Sequence, residues 1–398
     1  MLPGVVRRRR YPAKRLIPGI LNMNALSILV LDVWMPTPDR DSASLRIVNL
    51  LSILAQLAGR VTFGVGDAPD WRRSDTWRNG TRPFQDSPIE LIEGHAAIEA
   101  HLKQQGHDYD AVILSRLGMA SRYIQAVRQS APQAAVIFDT TDLHFLRGFR
   151  GAKVTGKVNL MKSALQAKRD ELSMVLQADC TLVVSPVEKT ILEAECPGMP
   201  VHIVSNVHTI YGSQKPFSER SGIIFVGSFP HHPNVDGMAY FYEEIYPLLK
   251  ARLPDVKTTI IGSDPPEWLR ESSTDNFVVT DYVPDIAPYF NQCRLSIAPL
   301  RYGAGVKGKI LLSLGYGVPV VATTIAAEGI PVVNGRDMLI ADTREDFCNA
   351  IFSLYARESL WNRLSANGLE IIDRHFSFTT ARLRLLDVFE SLGLLKLI

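Results

Sequence analysis

The residues best suited to chemistry lie late in the chain. An apolar stretch, Leu295-Ser-Ile-Ala298, leads into Pro299-Leu-Arg301-Tyr-Gly303-Ala-Gly305-Val-Lys307-Gly308-Lys309-Ile310 and then an apolar helical run ending before Gly317. Three glycines let backbone N–H groups approach an anion closely, and the start of a helix adds the positive end of its dipole. Arg301, Lys307 and Lys309 add fixed positive charge. Together these suit a diphosphate on which negative charge grows as a bond to it breaks. The competing reading is a solvated basic turn; the coincidence of glycines, cations and a strand–helix context favours the phosphate.

Other candidates also follow strands. Gly227 ends an apolar run and would let a pyrophosphate reach the backbone, or is a plain turn glycine. Glu328 with Gly329 has a carboxylate able to accept two ribose or sugar hydroxyls, against the alternative of a helix-capping or surface acid. Asp142 and His144, the candidate catalytic residues, follow Ala135–Phe138, where a His can donate to a sugar hydroxyl or stabilise developing charge, or is a surface or packing residue. Asp41, Ser42 and Ser44 open a helical segment, Ser42 reading first as an N-cap. His231 and His232 lack a third ligand for a metal, so they read as loop structure. The loop also matches GxGxxG literally, but a dinucleotide fingerprint belongs after a domain's first strand, and the loop after Asp32 has no glycine.

The elements that must hold these residues alternate between strand and helix. Leu26–Asp32, Val61–Val65, Ala111–Leu114, Ala135–Phe138 and Thr181–Val184 are short apolar runs, with helical spacing over Ser42–Leu57. A polar stretch around 206–220 interrupts the pattern. It restarts with Gly222–Gly227, a helix over Val235–Leu253, and strands at Thr258–Gly262, Leu295–Ala298 and Val318–Ala322. Such alternation implies parallel sheets covered on both faces. The expected organisation is a basic arm over 1–25, one α/β unit over 26–212, a second over 213–375, and a terminal helix over 376–398 packing back on the body.

Composition narrows the class. With 398 residues, 46% hydrophobic and 21% charged, the chain is large enough for two or three domains with real cores. The four cysteines are scattered without a CxxC pair, which argues against zinc or disulfides and fits a reducing cytoplasm. Net charge is +2, yet residues 1–25 alone carry +6 through Arg7 to Arg10, Lys14 and Arg15. The body is therefore mildly acidic, unlike a nucleic-acid-binding domain. The arm reads as a tail that either meets anionic lipid or is simply solvated. Arg150, Lys153, Lys157, Lys162 and Lys168 form a second basic run, again with a membrane or a merely solvated reading.

Taken in order, Gly303-Ala-Gly-Val-Lys-Gly-Lys309, Gly317-Val-Pro-Val-Val-Ala-Thr-Thr324 and Ala327-Glu-Gly329 resemble the donor-site signature of the family-four (group 1) retaining glycosyltransferases of GT-B fold. Pro36-Thr-Pro-Asp-Arg-Asp-Ser-Ala-Ser-Leu-Arg46, Phe138-Asp-Thr-Thr-Asp-Leu-His-Phe-Leu-Arg147 and Phe225-Val-Gly-Ser-Phe-Pro-His-His-Pro-Asn234 are similar to its other loops. The resemblance implies two Rossmann-like doubly wound domains facing a central cleft. It implies a nucleotide-sugar held as substrate by Gly227, Arg301, Gly303, Gly305, Lys307, Lys309, Glu328 and Gly329, with no cofactor and no metal. A saccharide or lipid-linked acceptor would lie against Asp41, Ser42, Ser44, Asp142 and His144. Transfer would retain anomeric configuration and serve cell-surface polysaccharide synthesis in the cytoplasm, with peripheral contact at the inner membrane.

Three positions depart from the family pattern. Its paired glutamates are replaced by Ala304 and Leu312, its usual catalytic histidine by Thr141, and the glycine between the two serines by Ala43. These changes leave open a non-catalytic scaffold of the same fold, and an epimerase of that fold is a further alternative.

Overall fold

The computed structural model describes residues 21–22, 26–66, 84 and 87–397. The basic arm therefore lies outside the described residues, apart from a two-residue pairing of Leu21–Asn22 with Lys396–Leu397.

The first unit is a seven-stranded sheet. Its strands are β1 (Ser27–Asp32), β2 (Arg60–Val65), β3 (Ile89–Glu93), β4 (Ala111–Ser115), β5 (Ala135–Asp139), β6 (Cys180–Val183) and β7 (Val201–Ile203). Every pairing is parallel, in the order β3-β2-β1-β4-β5-β6-β7. Its helices are α1 (Ser42–Leu57), α2 (His95–Gln105), α3 (Arg116–Ser130), α4 (His144–Thr155), α5 (Val158–Gln177) and α6 (Pro186–Glu195). Ile28 and Val30 face one core with Leu50, Leu51 and Leu54 of α1. Leu29 and Leu31, one residue out of phase, face the other with Tyr123 and Val127 of α3. This alternation on a strand apolar throughout is what a sheet covered on both faces requires.

The second unit repeats the plan with six parallel strands. These are β8 (Ile223–Val226), β9 (Thr258–Ile261), β10 (Phe277–Thr280), β11 (Leu295–Ala298), β12 (Val320–Ala322) and β13 (Leu339–Ile340), ordered β10-β9-β8-β11-β12-β13. Helix α7 (His232–Tyr240) runs through a π-turn (Phe241–Ile245) into Tyr246–Arg252, so the single helix expected over Val235–Leu253 is interrupted. Pro247 lacks the N–H that would bond back to residue 243, and a π-turn there absorbs the missing bond. Beyond the glycine loop lies α8 (Gly308–Gly315), followed later by α9 (Arg344–Ala356) and α10 (Glu358–Phe376).

The two units are joined twice. The linker between β7 and β8 is tied down by Asn206 Nδ2 donating to Val306 O at 3.1 Å and Tyr211 N to Gly315 O at 2.8 Å. After Phe376 the chain breaks at Ser377, whose hydroxyl caps α11 (Phe378–Ser391) by accepting from Thr380 N. Leu385, Val388 and Phe389 of α11 enter the core of the first unit beside α1.

Candidate functional site

The carboxyl ends of both parallel sheets face each other, and the residues with chemistry gather there. Helix α8 brings Lys309 back to the mouth of β8. Its Nζ donates to Asn234 Oδ1 at 2.5 Å and stands 4.0 Å from the Phe225 ring centroid. A Cβ built at Gly227 would lie 2.7 Å from that Nζ and 2.9 Å from Asn234 Nδ2, so a side chain here would have to push Lys309 and Asn234 aside. Asn234 is itself fixed by donating to Ser228 O at 2.6 Å. No carboxylate pairs with Lys309 among the described residues. Burial, then the charge of Lys307, lowers its pKa to about 7.

Lys307 is 8% exposed and donates to Gly305 O at 2.7 Å. Burial lowers it to about 8 against the opposing pull of Glu328, Glu188 and Asp142. Gly303 (φ +155°) and Gly305 (φ +66°) take backbone conformations that L side chains avoid, and Gly305 abuts Asp142, with a built Cβ 3.1 Å from that side chain. Gly329 (φ +81°) likewise has no room, its built Cβ meeting Ser185 at 2.7 Å.

Two expected donor contacts are occupied by protein instead. Arg301 is held by Asp236, its Nε donating to Oδ2 at 2.9 Å, and its guanidinium is turned toward Tyr240. Glu328 receives a bidentate pair from Arg150 at 2.6 and 2.7 Å, and the same Arg150 donates to Gly303 O at 2.8 Å. Arg150 thus crosses from α4 to the donor loop. In the sequence it stood out only as one of a basic run.

In the first unit Asp41, not the expected Ser42, is the N-cap of α1. Its carboxylate accepts from Ser44 N at 2.8 Å and from Ser44 Oγ at 2.6 Å. An aspartate satisfies the orphan N–H as well as a serine does, and it begins one residue earlier. Ser42 lies against Gly308, where a built Cβ would meet its Oγ at 2.1 Å, so the two units touch at this point. Across the cleft, Tyr282 donates its hydroxyl to Asp39, and Arg40 covers its ring at 4.6 Å.

Asp142 is bonded by Arg147 and lies 3.4 Å from His144 Nε2. Burial raises its pKa, but Arg147, His144, His231 and Arg116 together bring it below the ordinary value, so it stays ionised. Burial lowers that of His144 and, to about 4, that of His231. His231 stands at the N-cap position of α7 on the opposite wall, within reach of the Asp142 charge. Thr141 has φ +62°, a strained setting for a β-branched residue. The loop is held from behind by two buried glutamates that the sequence did not reveal. Glu171 accepts from His144 N and Phe145 N at 2.9 and 3.0 Å, and Glu188 from Leu143 N and Val184 N at 3.1 and 3.2 Å. Burial raises both to about 7.

Leu312 packs against the apolar cluster of Phe290 and Tyr316. Among the described residues no group of three or more His, Cys, Asp or Glu side chains is placed to hold a metal ion.

Residues 220–357 match the family described as glycosyl transferases group 1. An uncharacterized 44.6 kDa protein in the cps region of Klebsiella pneumoniae is 23% identical over 163 residues, 39% of this chain and 42% of that one. The match thus spans less than half the length of that relative. Sucrose-phosphate synthase from Thermosynechococcus elongatus aligns with a TM-score of 0.67 at 15% identity, covering 92% of this chain and 99% of its own. Anabaena HepE in complex with UDP-glucose aligns with a TM-score of 0.67 at 13% identity, covering 92% and 100%. At such identities the structural likeness speaks for the fold, while the family match concerns the second unit, residues 220–357. The chain therefore has the GT-B fold, and its residues 220–357 are similar to the group 1 glycosyl transferases.

Proposed function

We propose that the protein transfers a sugar, with retention and without a metal, from a nucleotide diphosphate to a saccharide or lipid-linked acceptor in cell-surface polysaccharide synthesis. The observation that carries this reading is Lys309: a half-buried cation at the mouth of β8, bonded among the described residues only to an amide oxygen. Burial and the neighbouring Lys307 charge depress its pKa, and a bound diphosphate would offset both. Lys307 and the positive-φ glycines surround the same spot. Charge appearing on the leaving diphosphate then meets cations already in place.

Asp142 and His144 face the donor loop from the other wall and act on the acceptor hydroxyl or the developing positive sugar. Glu328, engaged by Arg150, serves to order the loop. The polysaccharide setting is supported by the Klebsiella relative, and the nucleotide by the UDP-glucose bound to HepE.

Peripheral membrane contact is supported by the tip of α4 and α5. Val154, Val158, Met161 and Leu165 are exposed there beside exposed Lys153, Lys157 and Lys162. Arg150 and Lys168 of the expected basic run point elsewhere, to Glu328 and Glu195. No described helix is long and apolar enough to cross a membrane.

Titration calorimetry with UDP and GDP, followed by an assay of donor hydrolysis and transfer, tests the reading. Binding of neither nucleotide refutes it. Leu312, apolar where the family has a carboxylate, favours one second reading, a non-catalytic scaffold. Nucleotide binding without hydrolysis or transfer would select it, and interconversion of free nucleotide-sugars would select an epimerase.

A further inference from the structure

The strand order of the first sheet reverses between β1 and β4, and open parallel sheets bind ligands in the crevice beyond such a reversal. Asp32 ends β1 and Arg116 follows β4 directly, so their side chains meet at that crevice. Arg116 Nε donates to Asp32 Oδ1 at 2.8 Å, and the guanidinium lies 4.8 Å over the ring of Trp34.

Three features set Arg116 apart from a simple counter-ion. Its φ is +69°, one of only three positive values on non-glycine residues among the described residues. Such strain persists where the surroundings over-determine it, and it gathers at ligand sites. Its terminal N–H groups make no hydrogen bond within the described residues, although the side chain is only 14% exposed. Finally, its charge interacts with Asp41 at the start of α1 and with Asp142 on the β5–α4 loop, so it stands between both acceptor-side loops.

The chemistry of the crevice selects its ligand. Asp32, Asp41 and Asp142 outnumber Arg116 and Arg147, so a phosphate or carboxylate gains no excess of positive charge there. A sugar hydroxyl, by contrast, finds donors and acceptors side by side. We infer that Arg116 holds the acceptor, its free N–H pair gripping vicinal hydroxyls of a neutral sugar in the β1/β4 crevice; this rests on the transferase reading above.

The test uses Arg116→Gly, since glycine adopts positive φ freely, and the double variant Arg116→Gly/Asp32→Asn, which also removes the buried charge left behind. Saturation-transfer NMR at saturating UDP compares the methyl glycosides of glucose, galactose and mannose with methyl glucuronide and glucose 6-phosphate. The expected result is binding of at least one neutral glycoside to the parent protein and its loss, by roughly tenfold or more, in both variants, with UDP affinity unchanged. Recovery of glycoside binding in the double variant would make Arg116 only the counter-ion of Asp32 and overturn the proposal. So would tighter binding of an anionic sugar, binding of no glycoside by a parent protein that does bind UDP, or a parallel fall in UDP affinity. A parent protein that binds neither UDP nor GDP refutes the transferase reading instead.

Discussion

Lysines 307 and 309 are held partly desolvated, and the consequence is measurable as pH dependence. On the proposed reading a nucleotide diphosphate binds their charged forms, while burial lowers the pKa of the free groups to about 8 and about 7. Affinity is full where both are protonated and falls as pH rises through those values, by roughly tenfold per unit for each lysine above its free pKa. Calorimetry with UDP between acidic and alkaline buffers should show that decline; a flat profile would remove the lysines from the site. Replacing either by Ala removes a charge-assisted contact and costs about 1.5–3 kcal/mol of nucleotide affinity. His144→Ala should instead slow transfer and leave UDP affinity alone, because the proposed reading sets His144 against the acceptor; a full-rate variant removes it from the mechanism. The cations were legible because glycine spacing and charge coincide in one short segment. Their partners were not: Asp236 for Arg301 and Arg150 for Glu328 lie 65 and 178 residues away, and no local pattern announces such pairs.

Among the elements, the loop leading into α4 is the most instructive. Glu171 on α5 and Glu188 on α6 each bond two backbone N–H groups at or beside that loop from buried positions. Their pKa is raised from 4.5 to about 7, so the native protein holds protons that the unfolded chain has already released. Their contribution to stability is therefore greatest at acidic pH and declines as pH rises from about 4.5 to 7, by up to about 3 kcal/mol per group. Urea midpoints across that range should fall with rising pH, and Glu171→Gln should flatten the slope; an unchanged slope shows that burial does not perturb this carboxyl. Central strands such as β1, β4 and β11 were readable as apolar runs, being covered on both faces. The edge strands β3, β7, β10 and β13 were missed because they are half-exposed, with too little continuous apolar sequence to stand out.

At the scale of the whole molecule, the alternating pattern and its interruption disclosed two α/β units, but not the contacts that close one on the other. Arg150 to Glu328 and Tyr282 to Asp39 bridge the cleft at separate points. Arg150→Ala and Glu328→Ala, alone and combined, should raise the radius of gyration in X-ray scattering and show a coupling energy of about 1 kcal/mol or more in nucleotide binding. Strict additivity would mean that the pair contributes nothing to closure.

The return of α11 to the first unit bears on how the halves can swing. A pair of peptide crossings, one before β8 and one at Ser377, hangs the donor lobe as a door hangs on two pins, which permits rotation about the line between them and resists twist. Cutting the chain after Phe376 would leave a single pin and strip Leu385, Val388 and Phe389 from the opposite lobe, so severing either half by itself yields a fragment with an uncovered apolar wall.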